Sequence, residues 1–322
     1  MEQRFSGLFH NPTILHSEQR AFIDLDYRTL YSEVMRKIGI YYAFWTREWD
    51  ADFFPFIEKI KNLGFDQLEI NGGTFAVMSP PARKRLGDEA KRCNITISYG
   101  IGLTADHDVS SLDEEVRRNG IQFMRSMIEA VGKSGGGMIG GTVHSAWPST
   151  LPKDATDKRP YLDQSKKSMR EMVRVAEDNN VILNVEVINR FEQYLLNTCD
   201  EALSYVKDIN SPSCRILLDT FHMNIEEDSI GGAIRKAGRY LSALHLGETN
   251  RKPPGLGRMP WEEIRSALDA IGFDGPLVME PFIAKGGQVG RDVAVWRDLI
   301  PNPDYDKLAH DAASFVRRVL TK

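Results

Sequence analysis

From Lys37 onward, short apolar runs alternate with longer stretches whose apolar residues recur every three or four positions. The short runs are KIGIYY (from Lys37), FDQLEI (from Phe65), ITISYGI (from Ile95), GMIGGTV (from Gly137), VILNVEV (from Val181), RILLD (from Arg215), LSALHL (from Leu241) and PLVME (from Pro276). Several are apolar at consecutive positions, as strands buried on both faces of a parallel sheet must be. Between them, ADFFPFIEKIKNLG, SLDEEVRRNGIQFMRSMIEAVGK and QSKKSMREMVRVAEDNN present one apolar face at helical spacing, and several such stretches end at Gly or Asn. Eight strand–helix units predict an α/β fold, a single-domain (β/α)8 TIM barrel over residues 37–322. A doubly wound open sheet is the competing architecture. No glycine fingerprint follows the first strand, and the placement of polar residues favours a closed ring.

Residues 1–36 fall outside this pattern. Their composition is mixed and polar, without a clear period, and they read as an N-terminal extension. Met35, just before the first strand, is favoured over Met1 as the natural start. His10 and His16 lie in this stretch and are expected to be solvated.

Polar residues at the strand ends add chemistry to the pattern. VILNVE ends at Glu186, CRILLD at Asp219, YLSALH at His245 and PLVME at Glu280. Their separations of 33, 26 and 35 residues each fit one strand-loop-helix-loop unit. Any one of these acids has a structural reading. Asp219, in LLDTFHMN, is a good helix N-cap residue. Four at successive strand ends converge on the C-terminal rim of a barrel, where such folds carry their sites. A strand-embedded Glu is costly to bury alone, and oxygen ligands with one imidazole suit a divalent cation such as Mn²⁺, Mg²⁺ or Co²⁺. The residues therefore point to a metal enzyme.

A second layer follows the same rim. Glu192 lies six residues beyond Glu186, His222 three beyond Asp219, and Arg251 six beyond His245. Taken singly, each is more often a salt-bridge or capping residue. Together they suit a polyhydroxylated substrate. Tyr41, Trp45, Trp147 and Phe282 are candidates for an apolar wall against a sugar ring, with core packing as the default for any aromatic. His144 is a possible fifth rim group, while His107, in TADHDVSS, reads as solvated.

Composition narrows the class. A formal net charge of −4 disfavours a nucleic-acid partner. Cys93, Cys199 and Cys214 are unclustered, which suits a reduced cytoplasmic setting rather than a disulfide framework. No apolar stretch is long enough to span a bilayer, so no membrane partner is expected.

The stretches GGTVHSAWP, EVINRFEQYLLNT, LLDTFHMNIEEDS, HLGETNRKPPGLGRMPW and MEPF, with the opening KIGIYYAFWTREW, together resemble the ketose 3-epimerases. That family includes the D-tagatose and D-psicose (D-allulose) 3-epimerases of the xylose-isomerase-like barrel superfamily. The likeness runs from about Lys37 to the C-terminus, and PSTLPKDATDKRP after Trp147 is its least familiar part. The resemblance implies one divalent metal, Mn²⁺ or Co²⁺ with Mg²⁺ as a further choice, held by Glu186, Asp219, His245 and Glu280. It also implies that Glu192, His222 and Arg251 contact the C1–C3 oxygens of a ketose. Tyr41, Trp147 and Phe282 match positions near the substrate. A homodimer or homotetramer is implied as well.

The activity so implied is epimerisation at C3, as between D-fructose and D-psicose or D-tagatose and D-sorbose. Glu186 and Glu280 would act as acid and base on opposite faces of a cis-enediolate. An aldose–ketose isomerase or an inosose-processing enzyme on the same barrel is the nearest alternative. A DNA-repair endonuclease needs more rim histidines than His144, His222 and His245 supply. A non-catalytic sugar-binding barrel has no need of two opposed carboxylates.

Overall fold

The computed structural model describes residues 36–321. The expected extension lies outside the described residues except for Arg36, as do His10 and His16. Arg36 is buried, and its guanidinium donates to the carbonyls of Phe273 and Leu320 and to Asp269.

Eight parallel strands close into a barrel in sequence order: β1 (Ile38–Tyr41), β2 (Gln67–Asn71), β3 (Thr96–Leu103), β4 (Gly137–Ala146), β5 (Val181–Glu186), β6 (Cys214–Asp219), β7 (Leu241–Leu246) and β8 (Leu277–Met279). Each coincides with one of the eight apolar runs. β8 pairs with β1 through Ile38↔Leu277 and closes the ring, so the open-sheet alternative is set aside. A helix follows each strand and buries one face against the barrel. ADFFPFIEKIKNLG supplies Phe54–Asn62, SLDEEVRRNGIQFMRSMIEAVGK supplies Glu114–Gly132, and QSKKSMREMVRVAEDNN the C-terminal part of Arg159–Asp178.

Local chemistry sets where these helices begin and end. Asp113 caps Glu114–Gly132, and Thr198 with Glu201 forms a reciprocal capping box on Cys199–Ile209. Asn94 and Asn210 terminate their helices in left-handed conformation, which Asn tolerates better than most side chains. No helix among the described residues is long and apolar enough to cross a membrane.

All strands run the same way, so all eight carboxyl ends meet at one face. Additional short helices sit there, at Gly72–Val77, Thr220–Glu226 and Gly287–Asp292. They roof the site rather than complete the barrel.

Candidate metal centre and active site

Glu186 and Asp219 are the last residues of β5 and β6, His245 sits near the end of β7, and Glu280 directly follows β8. Asp219 and His245 are register partners, which brings two of the four together across one strand pair. Each of the four offers a ligand atom, and these atoms lie within 4.8 Å of one another. His245 Nδ1 is 3.4 Å from Glu186 Oε1 and 3.8 Å from Glu280 Oε2.

Asp219 resolves the choice between helix cap and ligand by doing both jobs with different atoms. Its Oδ1 accepts the backbone N–H of Phe221 at 2.7 Å, at the start of Thr220–Glu226. Its Oδ2 is buried and has no hydrogen-bond partner, and neither has Nδ1 of His245. Unpaired buried polar atoms are costly, and two of them aimed into one acidic cluster fit a cation.

The charge balance agrees. Burial, aided by Glu186 and Asp219, pushes the Glu280 carboxyl up to about 8 despite His245 and Arg251 nearby. Three carboxylates crowd around one imidazole, and a divalent ion would offset their repulsion. The four residues therefore form a metal site of three oxygen donors and one nitrogen donor.

A hydrogen-bonded arc lies beside it. Arg251 Nη1 donates to Glu192 Oε1 at 3.2 Å and Nη2 to Glu280 Oε2 at 3.4 Å. The guanidinium is sandwiched between the Phe221 and Phe282 rings, 4.6 and 4.8 Å from their centroids. Arg251 itself has φ +59°, and the loop holds it there through bonds from its N–H to Glu248 O and from Phe282 N–H to its carbonyl. Glu192 also accepts from Asn189 and from Trp147 Nε1, at 3.0 and 3.1 Å. Burial alone would raise the Glu192 carboxyl, but the Arg251 guanidinium, with hydrogen bonds from Asn189 and Trp147, outweighs it and holds the group at about 2. It is an ionised acceptor at any ordinary pH.

Asn189 also fixes the His222 ring. Its Oδ1 accepts from Phe191 N–H, so its Nδ2 is the donor to His222 Nδ1 at 2.7 Å. A neutral His222 therefore carries its proton on Nε2.

Above these groups opens a cavity of about 420 Å³, in the range used by small-molecule sites. Tyr41, Trp147 and Phe282 line it, joined by Trp49, whose ring lies 6.1 Å from Trp147 and 6.2 Å from Phe282.

Two expected rim groups lie elsewhere. Trp45 follows the tight turn Tyr42–Phe44, which carries it to the last helix; its Nε1 donates to Asp306 and Lys59 lies over its ring. His144 is buried but does not line the cavity, and packs near Tyr205 instead. The β3–β4 pairing is irregular between Gly141 and Ala146, opposite Ile101 and Leu103, and such irregularities re-aim the side chains beyond them. Gly141 makes this possible: it has φ +110°, and a Cβ there would sit 2.1 Å from Ile101 O.

His107, expected to be solvated, sits at the cavity edge. It is half-buried, stacks on Phe123 at 4.5 Å and lines the cavity. Glu69, Trp49, Asn71 and Thr142 also face the cavity without having been singled out from sequence. Glu69 had a legible signal, since QLEI is another apolar strand carrying a carboxylate near its end.

The family model described as "Xylose isomerase-like TIM barrel" matches residues 57–301. The chain is 45% identical over 287 residues to the D-psicose 3-epimerase of Ruminiclostridium cellulolyticum, covering 88% of this chain and 98% of that protein. It is 41% identical over 287 residues to the D-psicose 3-epimerase of Agrobacterium fabrum, covering 88% and 99%. The solved D-psicose 3-epimerase with D-tagatose from Clostridium cellulolyticum superposes with a TM-score of 0.86 at 44% identity, covering 89% of this chain and all of that one.

Proposed function

Because the chain belongs to the ketose 3-epimerases of the xylose isomerase-like TIM barrel family, we propose that it interconverts free ketoses differing at C3, D-fructose with D-psicose and D-tagatose with D-sorbose. The observation that carries this reading is the pair Glu186 and Glu280. They reach the same imidazole nitrogen, 3.4 and 3.8 Å away, from strands on different sides of the cavity floor.

The hydrogen on C3 of a ketose is acidic because the C2 carbonyl can take up the charge left behind. Inverting C3 requires one group to remove that proton and another to return one to the opposite face. In one direction Glu186 accepts the proton and Glu280 delivers one; in reverse the roles exchange. A divalent cation in the site, with Mn²⁺ or Co²⁺ as the preferred ions and Mg²⁺ as a further choice, would supply electrostatic stabilisation of the enediolate charge.

The neighbouring side chains set which carbon lies between the two carboxylates. Ionised Glu192 accepts from a hydroxyl, while Arg251 and the His222 Nε2–H donate to oxygens at the C1–C3 end. Arg251 bridges Glu192 and Glu280, so substrate positioning and proton transfer share one rigid group. Trp49, Trp147 and Phe282 present apolar faces to the remaining chain carbons and exclude water from the carbanionic centre. The assembly is proposed to be a homodimer or homotetramer, and the working location the cytoplasm.

A single experiment tests the reaction class. D-fructose is incubated in D₂O with Mn²⁺-loaded protein, and NMR follows both C3 deuteration and new D-psicose. Deuterium at C3 together with D-psicose is expected. Label at C1 with an aldose product would instead mean an aldose–ketose isomerase, and no label with any ketose would remove the epimerase reading.

A further inference from the structure

β2 stands three strands from β7 in the closed ring, through β8 and β1, and Glu69 of β2 places Oε1 3.0 Å from Nε2 of His245. Glu69 is not one of the four residues whose ligand atoms cluster. It is buried, and its other oxygen accepts the Ser98 hydroxyl at 2.8 Å, while Ser98 Oγ in turn accepts Gln67 Nε2 at 2.8 Å. Glu69 and Ser98 are register partners on β2 and β3, so the backbone ladder itself sets this spacing. All four side chains are at least nine-tenths buried.

A carboxylate can only accept, so the nitrogen facing it must carry hydrogen. Two lone pairs 3.0 Å apart would repel, so Nε2 of His245 carries hydrogen although its N–H is not aligned on Glu69 Oε1, which has no hydrogen-bond partner. Nδ1, likewise without a partner, faces Glu186, Glu280 and Asp219 and is the nitrogen left for a cation. We infer that Glu69, oriented by Ser98 and Gln67, is a positioning residue that fixes the ring and tautomer of His245 for metal binding. The inference rests on the metal site proposed above. It explains why an acid lies buried on β2, at a rim position with no place in the proton transfer. A carboxylate behind a ligating imidazole also makes that imidazole a better donor to the metal.

The test uses the full chain stripped of metal. Mn²⁺ affinity is measured by the EPR signal of the free ion in wild type, Glu69→Ala, Glu69→Gln and Ser98→Ala. Protein labelled with ¹⁵N-histidine reports the protonation of each ring nitrogen, with and without Mg²⁺, and the His245 signal is identified by its loss in His245→Asn. Glu69→Ala is expected to bind Mn²⁺ roughly 10- to 100-fold more weakly. It should also lose the exclusive Nε2–H state. Glu69→Gln, whose carbonyl still accepts from Nε2–H, should recover most of the affinity and keep that state, and Ser98→Ala should show a smaller loss than Glu69→Ala.

Wild-type Mn²⁺ affinity in Glu69→Ala would overturn the inference, as would altered ketose KM with unchanged metal affinity, which would make Glu69 a substrate contact. If Glu69→Ala does not fold, Glu69→Gln and Ser98→Ala decide. Failure of the wild type itself to bind Mn²⁺ would remove the metal reading. The ring protonation of His245 in metal-free protein would still decide the part played by Glu69: Nδ1–H with a bare Nε2 would overturn it.

Discussion

The two halves of the barrel rim are built from different materials. At the ends of β5 to β8 stand Glu186, Asp219, His245 and Glu280, and the segments that follow add Glu192, His222 and Arg251. β1 to β4 bring Tyr41, Gly100, Gly102 and Gly141 to the cavity, with Trp49, His107 and Trp147 from the connecting segments. A Cβ at Gly102 would lie 2.8 Å from the Trp147 ring, and one at Gly100 would lie 3.1 Å from Tyr41 and 3.3 Å from Glu69. One half concentrates charge, and the other makes room for a substrate and gives it a wall. A barrel allows this division because its eight strand ends vary independently on a common frame. Glu69 crosses that division, an acid of the shape-giving half that reaches a ligand in the charged half.

The sharpest way to break the comparison is to neutralise one acid of the charged half. Glu186→Gln or Glu280→Gln, assayed with saturating Mn²⁺, is expected to lower kcat by roughly 10³-fold or more. Near-normal turnover in Glu280→Gln would end the two-carboxylate scheme.

Removing the cation tests the same half through stability. Metal at a hundred times its Kd should stabilise the fold by about 2.7 kcal/mol, seen as a fall in Tm when a chelator is added. A melting curve indifferent to chelator would contradict the crowding of Glu186, Asp219 and Glu280.

In the shape-giving half the expected effects are smaller and of another kind. Trp147→Ala removes wall area and the Nε1–H bond to Glu192, so steady-state kinetics should show KM rising about tenfold with a lesser fall in kcat. A fall in kcat alone would place Trp147 among the groups acting in the transition state.

The smallest effect belongs to His144, whose ring burial holds at about 3, below the ordinary 6.5. Below pH 6.5 the unfolded chain takes up a proton that the folded chain refuses, so stability is lost as pH falls toward 3. His144→Phe should remove this contribution, about 1 kcal/mol at pH 5.5, in denaturant titrations compared across pH. Ketose turnover at neutral pH should be unaffected, and a large loss there would show that β4 carries chemistry after all.

Legibility in the sequence followed the same division. The charged half was readable because a charged residue interrupting an apolar run is conspicuous, and four such interruptions at unit spacing leave few alternatives. The shape-giving half was hard to read because glycines and aromatics have many uses. Trp45 and Trp49 are four residues apart, yet only Trp49 reaches the cavity. His107 and His144 both departed from expectation, His107 lining the cavity on Phe123 and His144 buried beside Tyr205 past the irregular pairing after Gly141.

By itself the sequence determined the strand–helix alternation, the positions of the eight strands and the acids and imidazole at four of their ends. These depend on local periodicity and on the cost of burying charge, which act within a few residues. Only the tertiary structure decided that Asp219 divides its two oxygens between helix cap and cluster, that Arg251 lies between two phenyl rings and bridges two acids, and that Glu69 stands behind His245. These depend on contacts between strands far apart in the chain, where closure of the ring and the register of each pair set which atoms meet.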